Sequence, residues 1–156
     1  MPQVLFSTPT PADVDELVAS MRDQDVAEVL AAGYADTRTP VAEGVQRSVM
    51  CWTCRVDGKL AAIFGLAPFG GMLSDTGVPW LLGTDEVPRH RRILARVARP
   101  YIARMLAQTP RLMNVVHADN TVAVRWLARM GFKLSPAAPA GPHGALFHSF
   151  EMTRDV

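Results

Sequence analysis

Two side-chain patterns in this sequence could do chemistry. Cys51-Trp52-Thr53-Cys54 has the spacing of a redox pair or of half a zinc site. A redox pair of this type sets its first cysteine at a helix N-terminus, where the dipole lowers the thiol pKa. Here Asp57-Gly58 follows, with apolar residues on both sides, so the segment reads as a strand. Residues three apart on a strand point to opposite faces, which opposes pairing. Zinc would need two more ligands, and only the scattered His90, His117, His143 and His148 remain. Two half-buried structural thiols are the expectation.

The second pattern is arginine. Residues 87–133 carry ten bases and one acid (Asp119), a sum of +9, whereas residues 1–50 carry eight acids and three bases, a sum of −5. Fourteen of the 16 basic residues are arginine, whose planar fork binds two phosphate oxygens at once. Arg89, Arg91, Arg92, Arg96 and Arg99 crowd one segment around His90. No acids are interleaved at i, i+4, so the cluster repels itself unless something anionic sits there, although a solvated helix face would look the same. Tyr101 is the only ring in that segment, which argues against a single-stranded nucleic acid as partner.

The overall balance is that of one globular domain: 156 residues, 49% apolar, 20% charged and a net charge of +1. The opening residues have no basic start and no long apolar run, and the weakly polar stretch 60–73 is too short for a bilayer and is broken by Gly65, Pro68, Gly70 and Gly71. With only two cysteines, a reducing cytoplasm is the expected compartment, with no membrane partner.

The elements that must position these residues follow from pattern. A first strand is expected over 3–7. Thr10-Pro11-Ala12-Asp13 starts a helix, with threonine as cap, proline in the first turn and an acid three residues on. Val14, Leu17, Val18 and Met21, then Val26, Val29 and Leu30, make two short helices or one bent one. Residues 34–47 read as loop. Strands at 51–56 and 59–67 flank the Asp57-Gly58 turn, and another strand spans 78–82. A helix over 88–108 should kink or split at Pro100. A strand at 112–117 precedes a helix capped by Asp119 or Asn120 and ended by Gly131. A loop, 135–142, leads to a last strand at 145–152. The fold class is α/β, in the order β, α, α, β, β, β, α, β, α, β.

This order resembles that of the GCN5-related N-acetyltransferases, and Asn120-Thr121-Val122-Ala123, Trp126-Leu127 and Met130-Gly131-Phe132 resemble that superfamily's late motif. The resemblance implies a mixed, mostly antiparallel central sheet flanked by helices. It also implies acetyl-CoA as cofactor and an amine as acceptor. Its pyrophosphate loop, Arg or Gln, two residues, Gly, one residue, Gly or Ala, falls on Arg91-Arg92-Ile93-Leu94-Ala95-Arg96, where Leu94 and Arg96 fill both glycine positions. Arg91 and Arg92 are the expected phosphate ligands, with Arg96 and Leu94 in the same segment, and Asn120 belongs to the cofactor motif. The strand carrying Trp80 and Leu82 would run beside the pantetheine arm, with those two side chains on one face. Many members place a tyrosine seven residues after the motif's Asn to protonate the departing thiolate; here that position is Leu127. Glu86 is the carboxylate placed to act as base, and His117 a substitute acid or base.

A narrower likeness rests on Trp80-Leu81-Leu82-Gly83-Thr84, Leu112-Met113-Asn114-Val115-Val116 and Arg125-Trp126-Leu127. These resemble the small acetyltransferase-like proteins of T7-type bacteriophages that are grouped with an internal virion protein. Two functions stay open. One is an acyl-CoA-dependent N-acyltransferase with an altered pyrophosphate loop; the other is a non-catalytic protein of the same fold, acting in a virion, in assembly or on a phage or host partner.

Overall fold

The computed structural model describes residues 1–71 and 73–155. In chain order the elements are β1 (Val4–Ser7), α1 (Pro11–Ser20), α2 (Asp23–Ala31), α3 (Arg38–Arg47), β2 (Met50–Val56), β3 (Lys59–Pro68) and β4 (Thr76–Gly83). Then follow α4 (Glu86–Arg89), α5 (Arg91–Gln108), β5 (Arg111–His117), α6 (Thr121–Met130), β6 (Lys133–Leu134), β7 (Ala138–Ala140) and β8 (Ala145–Thr153). The strands form one sheet in the order β1-β2-β3-β4-β5-β8-β6, with β7 on β8. Every pairing is antiparallel except β4 with β5.

Local chemistry sets the element ends. Thr10 Oγ1 accepts the Asp13 N–H at 3.2 Å while the Thr10 N–H donates to Asp13 Oδ2 at 2.9 Å, a complete capping box. Asp57 (φ 49°) and Gly58 (φ 80°) form the two-residue turn between β2 and β3. Asn120 is the N-cap of α6, its side chain accepting from the Ala123 N–H, and Gly131 ends that helix at φ 101°.

Three expectations need correction. Residues 38–47 are a helix, not loop: Asp36 Oδ1 accepts the Thr39 N–H at 2.7 Å, and Val41, fully buried, packs with Val45 one turn on against the core. Burial of that short apolar stripe outweighs the poor propensity of Pro40 and Gly44. The long helix does not split at Pro100. Pro100 and Arg96 are both exposed, so the carbonyl at i−4, which loses its partner, faces water. The break comes earlier, at His90, between α4 and α5. The 135–142 loop contains the short strand β7.

Each face of the sheet has its own core. Leu17, Val29, Val41, Ile63 and Leu82 join α1, α2 and α3 to one face. Leu66, Met105, Leu112, Leu127 and Phe150 join α5 and α6 to the other. Trp80 and Leu82 share the first face, as alternation requires. Among the described residues no helix is long and apolar enough to cross a membrane.

Candidate functional site

Strands β4 and β5 pair only at Thr76–Arg111 and Gly77–Leu112. Beyond Gly77 they diverge, because β4 follows β3 through Gly83 while β5 follows β8 through His117. One side chain crosses the near end of the gap, Asn114, whose Nδ2 donates to Pro79 O at 2.8 Å. A cavity of about 950 Å³ runs through the opening. Glu28, Tyr34 and Trp80 line it on the α1–α3 side; Phe64, Leu94, Ile102 and Trp126 line it on the α5–α6 side.

A polar network closes the far end. At the corner between α1 and α2 the Arg22 N–H donates to Gly83 O at 2.9 Å, and Asp25 Oδ2 accepts the Gly83 N–H at 2.8 Å. Arg22 pairs with Asp25 at 2.8 Å and reaches Asn120 Oδ1 at 3.3 Å, while Asn120 Nδ2 donates to Asp25 Oδ1 at 3.3 Å. These three side chains are buried, and a buried charge is tolerable only when it is paired and hydrogen-bonded. Glu28 completes the bridge by accepting the His117 N–H at 2.6 Å. The free backbone edges of both diverging strands are thus held by α2.

Glu28 is the group whose chemistry this environment changes most usefully. Burial pushes its carboxyl up to about 7, against the hydrogen bond from His117, and the nearby Asp25 charge adds to the rise. A carboxyl of that pKa, in a cavity, takes and returns protons near neutrality. Sequence reasoning missed it. Its only sequence signal was position on the polar side of a short helix, which every solvated glutamate shares.

The residues singled out from sequence are distributed as follows. Trp80 and Leu82 line the cavity, and Trp80 Nε1 donates to Ser48 Oγ at 2.7 Å. Leu94 lines it from α5, and Arg91 lines it where α5 begins. Arg92 is exposed and lies with Arg89, His90 and Arg91 on a separate cavity of about 420 Å³; Arg96 is exposed and lines neither. Asn120 lines the main cavity, but both its side-chain polar atoms are engaged with Arg22, Asp25 and Ala123. Glu86 lies outside the lining, its carboxylate held by Arg89 and by His90 Nε2. His117 is outside it too, its ring 5.2 Å from that of Phe147. Those two do not meet at the cavity; Glu28 does.

The segment matched to the pyrophosphate loop, Arg91 to Arg96, is helical throughout. Leu94 packs with Cys54, Val56 and Ala61, so the first glycine position is filled by a core side chain. The start of α5 has no side-chain cap and no acid in its first turn, leaving the positive end of an 18-residue helix uncompensated. Arg125 and Arg129 of α6 join Arg91 in the lining, and among the described residues none of the three forms an ion pair. Leu127, where a tyrosine was looked for, is buried and lines the cavity. No group of three or more metal-ligating side chains occurs among the described residues.

No protein-family model and no curated protein matches the sequence. Solved structures do match. The ribosomal-protein-S18-alanine N-acetyltransferase of Escherichia coli superposes with a TM-score of 0.68 at 12% identity, over 99% of this chain and 96% of that one. An acetyltransferase of the GNAT family from Streptococcus pneumoniae gives 0.67 at 14%, over 98% and 100%. A ribosomal L7/L12 alpha-N-protein acetyltransferase in complex with coenzyme A gives 0.66 at 10%, over 97% and 94%. The chain therefore has the fold of the GCN5-related N-acetyltransferases. The likenesses lend no support to the narrower resemblance to phage virion proteins.

Proposed function

We propose that this chain is an acyl-CoA-dependent N-acyltransferase. The observation that carries the reading is the divergence of β4 from β5 after Gly77, with a continuous cavity passing between them from one face of the sheet to the other. Such a passage lets a thioester and an acceptor meet from opposite sides. The residues fit an acetyl-CoA-type cofactor. Arg91, Arg125 and Arg129, at the uncapped start of α5 and on α6, suit its phosphates, with Arg92 beside them. Trp80, Leu82 and Leu94 supply apolar wall for its arm. When bound it would supply an activated acyl group. Without the loop glycines, phosphate binding rests on arginine side chains and the helix end, which replaces a backbone cradle by charge.

The test is calorimetric titration of acetyl-CoA and CoA, repeated with Arg91→Ala and Arg92→Ala combined. Micromolar binding that the double variant loses supports the reading; no binding at millimolar ligand overturns it. A second reading, a non-catalytic protein that binds a phage or host partner, is favoured by the Arg22–Asp25–Asn120 bridge, which occupies the far end of the opening, and by leucine at position 127.

A further inference from the structure

The two mouths of the cavity differ in charge. On the α5–α6 side the charged lining is Arg91, Arg125 and Arg129. On the α2–α3 side it is Glu28, Glu43 and Arg47, among Tyr34, Trp80 and Val115. Glu43 and Arg47 stand one turn apart on α3 and offset each other. That leaves Glu28 as the carboxylate without a cation of its own, since the neighbouring Arg22 is committed to Asp25 and Asn120. One Glu28 oxygen holds the His117 N–H, which fixes the carboxyl at the end of β5. Tyr34 and Val115 are 38% and 45% exposed, so the walls are apolar surface left open to a ligand.

Resting on the acyl-transfer reading, we propose that Glu28 is the general base, and that the mouth it faces accepts a primary monoamine with an apolar body. An α-amino acid would need an uncommitted cation beside Glu28 for its carboxylate, and a polyamine would need more than one uncompensated acid; the mouth offers neither. The amine arrives as an ammonium ion and gives one proton to the Glu28 carboxylate. The freed nitrogen lone pair attacks the thioester carbonyl carbon, the C–N bond forms and the C–S bond breaks. The second nitrogen proton passes to the departing sulfur, and Glu28 returns its proton to solvent. The charged and titratable groups around Glu28 are Asp25 on its own helix, Arg22 at the preceding corner and His117 on β5. Asp25 and burial hold the carboxyl near 7, where a base is half ionised at neutral pH.

The experiment measures thiol release from acetyl-CoA with 2-phenylethylamine, phenylalanine and spermidine as acceptors, in wild type and Glu28→Gln. Glutamine keeps an oxygen for the His117 N–H, so the variant is expected to fold. The expected result is a kcat/KM for 2-phenylethylamine at least about tenfold above the other two. In Glu28→Gln, kcat falls about 100-fold or more, the rise in rate with pH through about 7 disappears, and acetyl-CoA affinity holds within about twofold. Retention of kcat and of the pH limb in Glu28→Gln would overturn the base; preference for spermidine or phenylalanine would overturn the acceptor class. Calorimetry of 2-phenylethylamine without thioester separates this proposal from the acyl-transfer reading. In a protein that fails to bind acetyl-CoA, amine binding that Glu28→Gln abolishes still upholds the amine site, and no amine binding overturns it.

Discussion

Asp25 and Gly83 are joined through the backbone of β4: the Asp25 carboxylate accepts the Gly83 N–H at 2.8 Å, at the point where β4 has no strand neighbour on its β5 side. The same carboxylate carries the charge that balances buried Arg22. Asp25→Ala therefore leaves a buried guanidinium unpaired and a backbone donor unsatisfied, a loss of about 3–5 kcal/mol. Urea unfolding measures it. Replacing Arg22 as well, by methionine, removes the stranded charge, so the double variant should be more stable than Asp25→Ala alone. A double variant less stable than the single one would contradict the ion-pair account.

Glu28 makes stability depend on pH in the opposite sense to most carboxylates. Its folded pKa, about 7, lies above the ordinary 4.5 because burial disfavours the charged form. The protonated form is thus preferred by the fold. The contribution is fully present below pH 4.5 and is lost as pH rises through 7. At roughly 1.4 kcal/mol per pKa unit, the difference amounts to about 3 kcal/mol. Unfolding free energies at pH 5 and pH 8 should differ less in Glu28→Gln than in wild type, by up to that amount. An unchanged difference would mean that the carboxyl is not perturbed in the folded chain.

The same residues show what sequence could reveal. The capping box at Thr10 and Asp13, the Asp57-Gly58 turn and the Asn120 to Gly131 helix are local devices, each written in a few consecutive residues whose side chains bond to nearby backbone. They were legible, and with them most of the element order. Helix α3 was not, because Pro40 and Gly44 mask a two-residue apolar stripe that matters only once the sheet is beneath it. The candidate base was hidden for a related reason. Glu28 meets His117 across 89 positions of sequence, and its altered acidity comes from burial at the gap between two strands, which no local pattern encodes.

The cysteines should be inert while the chain is folded. Cys54 is buried, Cys51 half-buried, and burial raises both thiols to about 11. At pH 8 the reactive thiolate is then a minor species, about 0.1% for a pKa three units above the solution pH. An aromatic disulfide reagent should modify both thiols in denaturant and react with the native chain at a small fraction of that rate. Rapid modification of the native protein would contradict this burial and would also complicate thiol-release assays of activity.

Trp80 ties α3 to the cavity, and its fit against Gly44 can be tested directly. A Cβ on Gly44 would lie 2.7 Å from Trp80 Cζ2 and 2.9 Å from Cε2, closer than carbon atoms approach. The indole has little room to retreat. Its Nε1 is hydrogen-bonded to Ser48 Oγ at 2.7 Å, and its strand is fixed opposite Gly65, where a Cβ would meet Met50 O at 2.5 Å. Gly44→Ala must therefore push α3 outward. Overpacking costs about 1–3 kcal/mol, while alanine for glycine in a helix returns up to about 1 kcal/mol, so the steric loss wins. A lowered urea midpoint is expected, together with a shifted Trp80 indole N–H resonance as the bond to Ser48 lengthens. If α3 lines the acceptor mouth, KM for the amine rises while acetyl-CoA affinity, set on the far side of the sheet, stays put. An unchanged midpoint with an unmoved indole resonance would show that α3 does not rest on Trp80.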